Sequence, residues 1–197
     1  MNTADIPLFP LNVVLFPGGL LPLRIFEARY MDMAKACLRD GAPFGVCLIR
    51  EGREVGDPAR PEDVGCLARI VDWDMQQLGL LLVTAQGEAR FRILERRIER
   101  DGLARARVAL LPEDTDAPLP EASAVCAAVL RKLIEQHGAA IFAQPHRFDS
   151  ASWISARLAE VLPLPLAERQ ALLELDDALE RIGMLHRYLA QHGLAGS

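Results

Sequence analysis

The sequence predicts an α+β fold in two parts: a β-rich first half that closes on itself, then a helical bundle. Three observations carry this reading. Before residue 112, short apolar runs alternate with a period of two, and only residues 27–40 keep a helical period. Residues 112–120 read PEDTDAPLP, a polar and proline-rich join. Beyond them the apolar period becomes 3.6. The expected organisation is a β-rich part over 1–112 with one helix at 27–40, a linker at 113–119, and helices over 120–197.

The opening carries no charge from Ile6 through Leu23, and four prolines and two glycines interrupt it. Each internal proline removes a backbone donor and clashes with the turn before it, so this is not one helix. It reads as a strand at Ile6–Phe9, an extended loop, a turn at Pro17-Gly18-Gly19 and a strand at Leu20–Phe26. Phe9, Phe16, Leu21, Leu23 and Phe26 are too many large apolar groups to expose together, and most are expected in the core. In the helix that follows, Tyr30, Met33, Ala34, Cys37 and Leu38 form one stripe. Glu27 favours its first turn and Gly41 its left-handed end. Phe44–Arg50 reads as a short buried strand, and Glu51–Asp63 as a surface loop.

Val64–Met75 and Leu78–Leu94 read as a long hairpin. With Gln76-Gln77 as its loop, Met75 faces Leu78, Trp73 faces Leu80 and Val71 faces Leu82, so every pair is apolar. Asp72 and Asp74 mark the other side as wet. A bulge is expected near Leu94–Glu95, where the alternation of Arg90-Phe91-Arg92-Ile93 breaks phase. The last strand puts Ala104, Ala106 and Val108 on one face, with Ile98 opposite Ala104 and Leu94 opposite Val108. About six strands precede residue 112, enough for a closed or nearly closed sheet.

In the second half, Ala122, Val125, Cys126, Val129, Leu133 and Ile134 stripe one helix that Gly138 ends. Asp149 or Ser150 caps a second helix carrying Ile154, Leu158, Val161 and Leu162, and Pro163 stops it. Pro165 opens a third that runs through Glu174. Asp177 with Glu180 caps the last, which is expected to bury Leu179, Ile182, Leu185 and Leu189.

Several stretches together resemble the Lon substrate-binding domain, the N-terminal domain of Lon-type ATP-dependent proteases. They are PLFPL (Pro7–Leu11), VLFPG (Val14–Gly18), LPLRIFE (Leu21–Glu27) and Arg29-Tyr30, then FGVCLIREG (Phe44–Gly52), VGCLARI (Val64–Ile70), LLVTAQGEARFRI (Leu81–Ile93) and LAEVLPLPLAERQALLEL (Leu158–Leu175). Ala28 stands where the family usually has proline, and alanine suits a first helical turn at least as well. The resemblance covers nearly the whole chain. It implies a PUA-like pseudo-barrel followed by a helical part, and a stand-alone relative of the domain. It also implies a role in binding unfolded or damaged polypeptides, and it admits a Lon-type ATPase engaged in trans as a further partner.

The ATPase and protease chemistry of full-length Lon is not expected. A phosphate loop needs Gly-Lys-Ser/Thr, yet Lys35 follows Ala34 and Lys132 follows Arg131. A Ser–Lys dyad needs contact, and Lys132 is about 13 Å along the predicted helix from Ser123. No catalytic, cofactor or metal residue is assigned. His186 and His192 point to different faces of one helix, and the pair His146 and Asp149 falls short of a zinc set. Cys37, Cys47, Cys66 and Cys126 are widely spaced in apolar segments and read as buried thiols.

The formal charge of −5 argues against a general nucleic-acid or anionic-membrane binder, and the basic side chains are twenty arginines and two lysines. The arginines of Arg90–Arg107 allow a nucleic-acid face, but Glu88, Glu95, Glu99 and Asp101 interleave with them, so a salt-bridged sheet face is favoured. A small-molecule binder with a pocket between the halves is a further alternative. The charge-free run has too many prolines for a membrane span, and no basic residue precedes Arg24 to open a secretory leader. A cytoplasmic setting is expected. The candidate polypeptide-contact residues are Trp73, Met75 and Leu78 at the hairpin tip. The alternative is that the tip packs over the helical half and covers its core.

Overall fold

β1 (Thr3–Leu11) runs through Pro7 and Pro10, further than the alternation alone suggests. It pairs with β7 (Ala104–Leu110) over Thr3–Pro7 and with β3 (Phe44–Glu51) over Leu8–Leu11. Each half of the strand is thus bonded on one side, the setting in which a strand tolerates proline. These elements come from a computed structural model that describes residues 3–114, 117–138 and 141–194. Residues 115 and 116 of the expected linker lie outside the described residues. The chain divides into two compact units, Met1–Pro112 and Glu113–Ser197.

The first unit adds β2 (Leu20–Ile25), α1 (Ala28–Asp40), β4 (Arg60–Pro61), β5 (Val64–Gln77) and β6 (Leu80–Ile98). Its strands close into a ring in the order β1-β7-β6-β5-β3 and back to β1. The closing pair β1–β3 is parallel, with Leu8 opposite Gly45, and the others in the ring are antiparallel. A parallel pair needs a long crossover, and the segment holding β2 and α1 supplies it.

The ring is filled by Ile6, Leu8, Leu67, Ala106 and Val108 around Phe91. A β-carbon at Gly45 would stand 2.7 Å from Phe91 Cζ, and one at Gly65 would stand 2.8 Å from it and 2.5 Å from the Val46 carbonyl oxygen. These two glycines make room for the ring of Phe91. A second core joins α1 to the sheet through Tyr30, Met33, Ala34 and Cys37, packed with Phe9, Phe44 and Val83. Here the opening motif has a structural purpose. Arg29 Nη2 donates to Glu27 Oε2 (2.8 Å) and to the Gly56 carbonyl (2.6 Å), and its Nη1 donates to the Gly102 carbonyl (3.3 Å). The guanidinium lies 4.7 Å from the centroid of Tyr30, which stacks on Phe9 at 4.1 Å. Two loops are thereby fastened to the start of α1.

Three expectations for this unit are corrected. Phe26 is 58% exposed rather than in the core, because β2 ends at Ile25 and the next side chain falls outside the sheet. The hairpin turns at Leu78-Gly79, not at Gln76-Gln77, since Gln77 pairs with Leu80 and Gly79 supplies a φ of 84°. The expected bulge is present between Ile93 and Glu95, but it sets Ile93, not Leu94, opposite Val108. Ile98 does face Ala104, and Glu95 faces Arg107.

The second unit holds a short 3-10 turn at Glu121–Ser123, then α2 (Ala124–His137), α3 (Ala151–Val161), α4 (Leu166–Glu174) and α5 (Ala178–Gln191). The Ser150 side chain caps α3 by accepting from the Trp153 amide, and Asp177 caps α5 by accepting from Leu179. Cys126, Leu130 and Ile134 are the buried edge of α2, a stripe turned toward Leu130 from the expected one. Leu179, expected inside, is exposed, and Ala178 is buried in its place. The core encloses Arg181. Its Nε donates to Ser155 Oγ (2.9 Å), its Nη1 to the Leu175 carbonyl (3.3 Å), and its Nη2 to the Asp114 carboxylate. Asp114 also accepts from Ser152 Oγ (2.8 Å), so a residue of the expected linker is anchored in this unit.

Candidate functional site

β5 is bonded to β3 only over Cys66–Ala68, while its pairing with β6 continues to the turn. β2 pairs with β6 from Leu20–Gln86 to Ile25–Leu81. Beyond the ring, the sheet is therefore the three strands β2, β6 and β5, capped by the turn at Leu78-Gly79. Two register shifts, at Ile70/Asp72 and Asp74/Gln77, change which side chains share a face. Trp73 stands opposite Val83, a core residue, whereas Asp72 faces Thr84 and Asp74 faces Leu82. Val71 falls in the first bulge and Met75 in the second, so the single apolar row expected over Val71, Trp73 and Met75 is broken.

The three tip residues named from the sequence remain together, and they are exposed. Trp73 is 56% exposed, Met75 41% and Leu78 97%. Val71 is exposed on the hairpin too. Phe26, which sequence reasoning placed inside, is exposed as well, but it lines a hollow with Phe9, Tyr30, Glu54 and Val55 rather than the tip. The signal for Phe26 was available. Alternation puts Leu21, Leu23 and Ile25 on one face, so Phe26 follows with the opposite phase. The hairpin end thus presents aromatic and aliphatic groups with Asp72 and Asp74 between them.

Five of the seven arginines of Arg90–Arg107 are bonded within the unit. Arg97 pairs with Asp5 (2.6 Å) and Glu99 (2.9 Å), and Arg105 with Asp5 (2.9 Å). Arg107 pairs with Glu95 at 3.4 Å, Arg96 donates to the Ala59 carbonyl, and the buried Arg90 donates to the Pro112 carbonyl. The Arg97 hydrogen bond, helped by Arg105, holds the Asp5 carboxyl down at about 2. This is a salt-bridged face. Burial pushes the thiols of Cys37 and Cys47 up, and that of Cys126 up to about 11, the reverse of an activated nucleophile. Lys35 is an exposed partner of Asp32 at 3.8 Å. Among the described residues no cluster of three His, Cys, Asp or Glu side chains could hold a metal, and no helix is long and apolar enough to cross a membrane.

Residues 5–191 match the family described as the ATP-dependent protease La (LON) substrate-binding domain. The chain belongs to this family. Lon protease 2 of Myxococcus xanthus is 28% identical over 198 residues, a stretch covering 94% of this chain and 24% of that protein. Protein cereblon of Gallus gallus is 32% identical over 136 residues, covering 67% of this chain and 28% of that protein. The crystal structure of a Lon N-terminal domain protein from Xanthomonas campestris superimposes with a TM-score of 0.77 at 36% identity, covering 92% of this chain and 96% of that one. The chain spans about a quarter of the length of the curated relatives it matches. The likeness is to the Lon substrate-binding domain, and the chain shares its mixed α+β fold.

Proposed function

We propose that this Lon substrate-binding domain captures exposed apolar segments of unfolded or damaged polypeptides at the β5–β6 tip, and does so without cutting them. The observation that carries the reading is the group Trp73, Met75 and Leu78, exposed on the hairpin end that the ring does not need for closure. An apolar cluster in water is unfavourable unless something covers it. Tryptophan anchors binding hot spots, and methionine adapts to partners of varied shape. Tolerance of many client sequences needs both. A Lon-type ATPase engaged in trans and a cytoplasmic setting belong to the same reading, and four free, buried cysteines suit a reducing compartment.

The test is to make Trp73→Ala and Met75→Ser and to measure binding to a reduced, unfolded client alongside thermal melting. Affinity should fall about tenfold or more with an unchanged midpoint. A lowered midpoint with unchanged affinity would make the tip a structural element. The purified chain should neither hydrolyse ATP nor degrade casein. Casein degradation abolished by Ser123→Ala or Lys132→Ala would overturn the non-catalytic part.

A further inference from the structure

We infer that the cavity beside α1 is a second peptide subsite, selective for a basic residue flanked by apolar ones. It encloses about 520 Å³ and is lined wholly by first-unit residues. That volume lies in the range of ligand sites, roughly 300–1,000 Å³. Its floor is apolar, made by Ile6, Met33, Cys37, Leu67 and Leu103. Its rim is acidic. Asp32, Ala36 and Asp40 follow one another at four-residue spacing along one ridge of α1, which sets the two carboxylates about 12 Å apart along the axis. Asp101 adds a third from the β6–β7 turn, where its carboxylate accepts from the Leu103 amide at 2.9 Å.

Among the described residues the lining contains one cation, Arg105, and it is committed. Its Nε and Nη2 donate to Asp5 Oδ2 at 3.0 and 2.9 Å, and Arg97 holds the same carboxylate from the other side. Lys35 and Arg39 touch Asp32 and Asp40 from outside the lining, in exposed pairs that a better-placed cation exchanges at little cost. The chemistry that fits is a guanidinium or ammonium group at the rim. Its stem lies along Ala36, and an apolar neighbour enters the floor. That the cation is carried by a polypeptide rests on the function proposed above; the charge and apolar preference rest on the cavity.

The test uses the whole chain and two labelled peptides, acetyl-Leu-Leu-Arg-Leu-Leu and its Glu counterpart, read by fluorescence anisotropy. The Arg peptide should bind about tenfold tighter at low salt, and the margin should narrow as salt rises. Asp32→Asn with Asp40→Asn and Asp101→Asn keeps the shape and the acceptor for Leu103; it should bring the two peptides within about twofold. Ala36→Trp fills the cavity from a half-exposed helical position. It should abolish the preference for the Arg peptide over the Glu peptide with the melting curve intact. Equal affinity for the two peptides, or a preference for the Arg peptide that survives Ala36→Trp, overturns the inference. Loss of client binding in Trp73→Ala with silent cavity variants would leave the tip standing and remove this subsite. The opposite result would do the reverse.

Discussion

Phe91 sets the tolerance of the ring at the scale of single atoms. Gly65 stands where a β-carbon would meet both Phe91 and the Val46 carbonyl, and neither backbone nor a core ring yields easily. Gly65→Ala should cost about 3 kcal/mol or more, read as a lower midpoint in chemical denaturation. Phe26→Ala should behave in the opposite way, with a stability change within about 0.5 kcal/mol, because the side chain is exposed. Composition alone pointed Phe26 inward; the phase of the strand, which depends on where pairing stops, decides otherwise. Asp5 makes a pH-dependent contribution. Its folded pKa of about 2 lies below the unfolded value of about 3.9. The stabilisation is therefore present above pH 4 and is lost as pH falls toward 2. Asp5→Asn should lower the melting point at pH 7, and the difference from the parent should vanish near pH 2. Asp5 is partly exposed, so the effect should stay below about 1 kcal/mol.

At the scale of elements, the long β5–β6 hairpin was legible and its register was not. The paired apolar runs announced two strands. The turn followed the residue able to adopt a positive φ, Gly79, and the two bulges then shifted every pair that a regular ladder would form. Such bulges are set by local twist and leave little mark in an alternating pattern. The bulge after Ile93 was legible because Leu94 visibly broke the alternation. β5 also changes character along its length. Cys66–Ala68 is bonded on both sides, whereas the stretch from Arg69 to the turn pairs with β6 alone. Hydrogen exchange should separate the two. Amides from Val71 to Met75 should exchange markedly faster than those of Cys66–Ala68, apart from those that donate to β6. Uniform protection along β5 would mean that its outer edge is covered.

At the scale of the whole molecule, contacts divide the chain between Pro112 and Glu113. What composition missed is that the polar join is not idle. Asp114 reads as a linker residue because it sits between prolines and other acids, yet it enters the helical unit to meet Arg181 and Ser152. Only a buried cation distant in sequence gives it that role. Asp114→Ala leaves the Arg181 guanidinium buried without its carboxylate and should cost about 3–5 kcal/mol. Circular dichroism should report the loss as an earlier helical transition. Trp73 fluorescence in a Trp153→Phe background should show the strand-rich unit melting where it did before.

The parallel closure of the ring by β1 has a consequence for how the chain reaches its fold. β1 is made before the other strands of this unit, and half of it bonds to Arg105–Ala109 across most of the unit. It cannot pair there until β7 has been made, and contacts so distant in sequence are slow to form. Until then the uncharged stretch from Ile6 to Phe16 has no ring to enter, and such a segment invites association between nascent chains. A module proposed to bind the exposed apolar stretches of others would thus begin as one of them.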